Sequence, residues 1–149
     1  MGRIVYLLSR LIYICKSFHS FNARNYNINI INIIYMGDTI QEFNDYRAKM
    51  NEVILGKQNK VINRLFNLDT NTYAEGALST KTKEMLGLVA SMVLRCDDCI
   101  KYHLGKAFEQ GVTTEEMYEI FAVANIVGGT IVIPHTRRAA EYWEELQAQ

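Results

Sequence analysis

A chain of 149 residues holds one domain with a single hydrophobic core and is too short for two ordinary ones. With 49% hydrophobic residues, 21% charged residues and a single Pro, it is not collagen-like, Pro-rich or strongly disordered. Its 16 basic and 16 acidic residues cancel, which argues against a dedicated nucleic-acid binder, whose affinity rests on many Lys and Arg neutralising phosphates.

The balance conceals an uneven distribution. Residues 1–35 contain Arg3, Arg10, Lys16 and Arg24 and no acid, so the following 114 residues carry 12 basic and 16 acidic groups, a formal charge of −4. Residues 4–15 are apolar but interrupted by Arg10, and no small-x-small cleavage site follows, so they make a poor secretory signal. Ile14 before Cys15 does not suit a lipoprotein anchor, and the stretch falls short of the ~20 apolar residues of a membrane helix. Arg and Ser without acids suit an organellar transit peptide. Residues 26–35, however, are a low-complexity run of Asn, Ile and Tyr, the kind that AT-rich DNA encodes when read upstream of a start. The expectation is a doubtful N-terminal extension over 1–35, a functional domain over 36–149 beginning at Met36, and no membrane role.

From Met36 the chain reads as helices with short punctuation. Phe43, Tyr46, Met50, Val53, Ile54, Val61, Ile62 and Leu65 recur at three- and four-residue steps, which predicts one long amphipathic helix, or two broken near Gly56, covering a core. A turn is expected over 67–72, and Ser79 or Thr80 caps the next helix. That helix is expected to be the most buried, with Met85, Leu88, Val89, Met92 and Val93 on one face and little polar surface besides Glu84 and Ser91. Another runs from about Cys96 to Gln110, with Cys96, Cys99, Ile100, His103, Leu104 and Ala107 inward and Gly111 as its C′ residue. Thr113 and Glu116 form a capping box for a helix with Met117, Ile120, Phe121 and Ala124 on its apolar stripe, ended by Gly128 and Gly129. Residues 130–134 have β-branched character but no partner strand. They read as a kinked helical entry, with Pro134 in a first turn and Ala139, Tyr142, Trp143 and Leu146 packing the final helix. The predicted fold is all-α, with five to six helices.

One constellation concentrates the chemistry: Glu84, eleven residues, Cys96, two residues, Cys99, three residues, His103. On a helix Cys96 and Cys99 are i and i+3, near enough for a disulfide with modest adjustment, and Cys99 and His103 are i and i+4 on the same side. The helix N-terminus beneath the cysteines favours a thiolate, while Asp97 and Asp98 oppose it. His103 is the side chain suited to moving the thiol proton near neutral pH, and Glu84 can orient it. A carboxylate inside an apolar helix is costly unless hydrogen-bonded or functional. The bland readings are a structural zinc site completed by His103 with Glu84 or His135, cysteines acting as small core hydrophobes, an exposed helix-start Glu84 and a satisfied core His103. Zinc lacks a second Cys pair. Tyr102 and His135 have no spacing that ties them to the site and read as packing residues; His19 and Cys15 have no support.

Glu-x11-Cys-x2-Cys-x3-His resembles the active-site motif of the AhpD-like alkylhydroperoxidases within the carboxymuconolactone decarboxylase family. The resemblance spans about residues 68–146 and includes Gly76-Ala77-Leu78-Ser79, residues 111–116 and Gly128-Gly129. It implies an all-helical homotrimer or homohexamer without a prosthetic group, acting as a thiol peroxidase or disulfide reductase; no metal is expected, and a transient catalytic disulfide fits the cytoplasm, where structural ones are rare. It further implies Cys99 as the peroxidatic nucleophile, Cys96, nearer the surface, as the resolving cysteine, and Glu84 and His103 as the proton relay. The partners implied are a peroxide or disulfide substrate and a dithiol reductant, a lipoyl protein or a thioredoxin-like one. Peroxidase members commonly carry a His at the position of Asp98, and this departure implies a slower peroxidase. The alternatives are a lactone decarboxylase, which acts without a Cys pair, and a non-catalytic zinc-binding helical oligomer.

Overall fold

The structure, a computed structural model, describes residues 23–149, with side chains from Ile40 onward. The chain divides into two units, 1–36 and 37–149. The expectations placed on residues 1–22, including those for Cys15 and His19, lie outside the described residues. Among the described residues, six α-helices and one 3₁₀ turn follow in order: α1 (Ala23–Gly56), α2 (Lys60–Tyr73), α3 (Thr80–Leu94), α4 (Asp97–Glu109), α5 (Thr114–Gly128), the 3₁₀ turn (Thr130–Val132) and α6 (Ile133–Gln147). The described residues contain no strand, and the all-α reading holds.

Local chemistry explains most of the boundaries. The break after Gly56 is made by Gln58 in the left-handed region (φ 56°) and by Asn59, whose side-chain oxygen accepts from the amides of Val61 and Ile62. Residues 67–72, expected as a turn, are helical instead. Thr70 and Thr72 turn their hydroxyls back onto the carbonyls of Phe66 and Leu68, and the Asn71 amide donates to the carbonyl of Asn67, so their polarity is spent inside the helix. The turn comes later, and Ser79 caps α3 by accepting from the Thr82 amide. Gly111 (φ 69°) closes α4 with its own amide on Phe108 and that of Val112 on Ala107, and the Thr113/Glu116 capping box opens α5 as predicted. Pro134 sits in the first turn of α6, where its missing N–H costs nothing.

The core lies among α3, α4, α5 and α6, where Leu88, Met92, Leu104, Met117, Val132 and Trp143 are fully buried. Phe108 meets Trp143 edge-on at 5.8 Å, and the indole N–H donates to the Thr114 hydroxyl. Lys81 donates to both Glu116 carboxylate oxygens, at 2.9 and 2.8 Å, and ties α3 to the start of α5. The stripe from Phe43 to Leu65 departs from expectation. Among the described side chains of α1 only Ile40 is buried, α2 has none, and Val61 and Leu65 are 75% and 65% exposed. α3 is likewise amphipathic rather than enveloped: Leu86 and Leu94 face outward.

Burial, reinforced by the nearby Glu145 carboxylate, pushes the Tyr142 phenol up to about 12. A phenol whose folded value exceeds its unfolded one favours the native state fully below the unfolded value of about 10, and that contribution fades as pH rises through the folded one. The melting temperature should therefore fall as pH is raised from about 10 to about 12. Tyr142→Phe should show a shallower fall in calorimetric scans over the same range.

Candidate functional site

The site forms where α3 meets the start of α4. Arg95 caps α3 in the left-handed region (φ 61°), a conformation that costs roughly 1–2 kcal/mol outside glycine. The chain thereby reverses within two residues, and the Cys96 amide bonds back to the carbonyl of Ser91. Cys96 is then the N-cap of α4, its sulfur accepting from the Cys99 amide at 3.4 Å. The two cysteines form a disulfide, with Cα atoms 5.3 Å apart. One turn further along α4, His103 directs Nδ1 at Glu84 Oε2 across the α3–α4 interface, at 2.7 Å. Glu84 is 2% exposed and His103 7% exposed, so this hydrogen bond is shielded from bulk water. Hydrogen bonding to the carboxylate places the proton on Nδ1 and leaves the Nε2 lone pair free whenever the ring is neutral. All four residues predicted from the motif are thus gathered in one place.

Three details correct or extend the sequence reading. Cys96 precedes the helix as its cap rather than lying on its inner face, and Cys99 is the exposed member of the pair while Cys96 is half-buried, the reverse of the order implied by the resemblance. Second, Cys99 and His103 open onto a cavity of about 440 Å³ whose opposite wall is the α1 stripe, with Phe43, Met50 and Ile54 among its lining residues. That is where the apolar periodicity of α1 is used: it walls a cavity rather than filling a core. Tyr102, on α4 beside His103, also lines the cavity, with the guanidinium of Arg47 from α1 3.9 Å above its ring. Third, His135 does not join Glu84 and His103. It lies on α6 and bonds Asp97, the residue after Cys96, through Nδ1 at 2.8 Å, and Arg138 reaches the same carboxylate oxygen at 3.1 Å. Partial burial favours the protonated acid at Asp97, but the hydrogen bonds from His135 and Arg138, with the Arg138 charge, outweigh it and hold the carboxyl below its ordinary range. Among the described residues, no three His, Cys, Asp or Glu side chains are arranged to hold a metal ion.

Gly87 is a site residue that spacing alone does not reveal. A Cβ there would lie 2.6 Å from His103 Cε1 and 2.7 Å from Tyr73 Oη, so the absence of a side chain lets both rings approach α3. Tyr73 and Tyr102 flank the imidazole, with ring centroids 5.1 and 5.2 Å from it.

The profile of the carboxymuconolactone decarboxylase family matches residues 60–142, and the chain belongs to that family. It is 48% identical to a Thermotoga maritima protein solved in crystals, with a TM-score of 0.70, covering 72% of this chain and 94% of that one. A second crystal structure from the same organism (TM-score 0.69, 48% identity, 71% and 90% covered) is described as a carboxymuconolactone decarboxylase family protein with a suggested involvement in antioxidative response. A Legionella pneumophila member, 22% identical with a TM-score of 0.67 over 73% of this chain and 97% of that one, shares the fold. An uncharacterized Cupriavidus necator protein is 27% identical over 74 residues, 50% of this chain and 66% of its own length, so the match spans just under two thirds of that relative. No helix among the described residues is long and apolar enough to cross a membrane.

Gly87→Ala should displace the His103 or Tyr73 ring and destabilise the fold by about 1–3 kcal/mol, the usual range for overpacking. Urea denaturation read by far-ultraviolet circular dichroism measures it.

Proposed function

We propose that this chain is a thiol-dependent hydroperoxide reductase or disulfide oxidoreductase of the AhpD-like type. The observation that carries the reading is the buried Glu84–His103 hydrogen bond set one helical turn from Cys99, with Cys99 and His103 on the wall of one cavity. The α4 N-terminus favours the Cys99 thiolate, and His103 Nε2 takes the thiol proton while Glu84 holds the ring and balances the imidazolium. The thiolate attacks the outer oxygen of a hydroperoxide and the O–O bond breaks, giving a sulfenic acid on Cys99 and an alkoxide that leaves as an alcohol with the proton returned by His103. Cys96 then displaces hydroxide, released as water, and closes the disulfide. A dithiol, a lipoyl protein or a thioredoxin-like partner, attacks the disulfide and restores both thiols. The exposed Cys99 sulfur is the accessible one for that attack.

The cavity volume and the apolar side chains from α1 suit an organic hydroperoxide or disulfide better than hydrogen peroxide. A homotrimer or homohexamer is supported by the apolar residues left outside, among them Leu94, Val127 and Ile126, the last 86% exposed. A cycling rather than structural disulfide suits a reducing compartment such as the cytoplasm.

Thiol titration before and after one equivalent of tert-butyl hydroperoxide tests the reading. Two thiols should be lost as a Cys96–Cys99 bond and regained with dihydrolipoamide, and Cys99→Ser should show neither change. Glu84→Gln should slow the oxidation by on the order of 10²-fold, the usual scale for a lost acid–base contribution. Thiols that survive peroxide intact overturn the assignment and direct attention to lactone chemistry.

A further inference from the structure

We propose that the oxidant this chain reduces is an organic disulfide or hydroperoxide that carries a carboxylate away from its reactive bond, and that Arg47 binds that carboxylate. This inference rests on the thiol-dependent reading above and names its substrate class. Arg47, on α1, and Tyr102, on α4, are the lining residues common to two cavities: the one of about 440 Å³ that holds Cys99 and His103, and a second of about 350 Å³. There the guanidinium lies 3.9 Å from the centroid of the Tyr102 ring. A ring face offsets part of the charge but supplies no lone pair, and among the described residues no carboxylate pairs with Arg47. Its N–H donors are thus half-buried in a shared wall without an acceptor from the described residues. The planar fork they form matches the two oxygens of a carboxylate.

The neighbouring charges decide which end of the substrate lies where. Asp98, next to Cys99, and Asp69 line the first cavity and oppose a further negative charge beside the sulfur. The second cavity adds Lys101 and Lys106. Lys106 is paired with Glu109 at 2.6 Å, while the Lys101 ammonium lies 5.5 Å from the Phe43 ring and has no carboxylate partner among the described residues. Acid therefore lies on the sulfur side of Arg47 and unpaired base on the other, so an uncharged disulfide or peroxide bond meets Cys99 while the carboxylate points away from it, to Arg47. With a disulfide R–S–S–R, the Cys99 thiolate bonds to one sulfur, the S–S bond breaks, and RS⁻ leaves with the proton that His103 took from the thiol. Cys96 then attacks Cys99, and the second RS⁻ leaves with the Cys96 proton. The cysteine pair loses two electrons and the substrate gains two, giving two R–SH. Arg47 takes no part in the bond changes and acts by holding the substrate.

The test is the rate at which the reduced full chain forms its Cys96–Cys99 bond, located by mass spectrometry, with dithiodibutyrate and with its dimethyl ester, in the parent and in Arg47→Met. The two oxidants share one skeleton, and only the first carries carboxylates. The parent should reach half its limiting rate at a lower concentration of the dicarboxylate than of the ester. Arg47→Met should raise that concentration for the dicarboxylate at least about tenfold, the lower end for a lost charge-assisted hydrogen bond, and leave its limiting rate and the ester reaction nearly unchanged. A parent that does not favour the dicarboxylate overturns the inference, as does a variant that alters both oxidants equally or neither, and in each case the thiol-dependent reading stands. A parent that closes no Cys96–Cys99 bond with either disulfide overturns that reading and this inference together.

Discussion

The arrangement depends on one buried hydrogen bond between elements, Glu84 to His103 at 2.7 Å. A carboxylate 2% exposed, within the helix that contributes Leu88 and Met92 to the core, is tolerable only with a partner, and a buried imidazole needs one as well. Each therefore fixes the other, and with them the lateral register of α3 against α4. The i, i+4 spacing within α4 sets the imidazole one turn from Cys99, and the register sets Glu84 opposite it. The left-handed Arg95 and the unadorned Gly87 are local accommodations to the same requirement, the first bringing α4 back beside α3 and the second admitting the ring.

Much of this was legible in the sequence because the signals were short-range. The capping box at Thr113 and Glu116, the Gly111 terminator and the Pro134 entry are decided within four residues, and each formed where its chemistry placed it. The Glu84–His103 pairing was legible for a different reason: an acid in an apolar helix and a histidine one turn from a cysteine both need a partner, and the spacing offers one. Periodicity misled where it was asked what a helix buries. The stripe from Phe43 to Leu65 has helical spacing, yet its α1 part walls a cavity and Val61 and Leu65 are exposed, a distinction between core, cavity and open surface that repeat length does not encode. The run at 67–72 misled through composition, since Thr and Asn satisfy their side chains on the preceding turn as readily as in a loop. His135 had no informative spacing because its partner, Asp97, lies 38 residues away in sequence.

Asp97 shows how charge is managed around the cysteines. The two acids that open α4 suit its dipole but stand beside the cysteine sulfurs, where their charge opposes a thiolate. His135 and Arg138, both from α6, converge on the Asp97 oxygen, so the acid nearest Cys96 is largely neutralised locally. Asp98 has no such partner and lines the cavity beside Cys99. The family resemblance singled out this position as the departure from a peroxidase histidine, and the geometry sets that side chain on the wall of the cavity.

Cys96 carries two duties on one atom. Its sulfur is half of the disulfide and also the acceptor that caps α4 through the Cys99 amide. The capping acceptor and the disulfide atom being one and the same, the covalent bond and the start of the helix cannot shift independently: whatever moves this sulfur also moves the hydrogen bond that holds the first turn of α4.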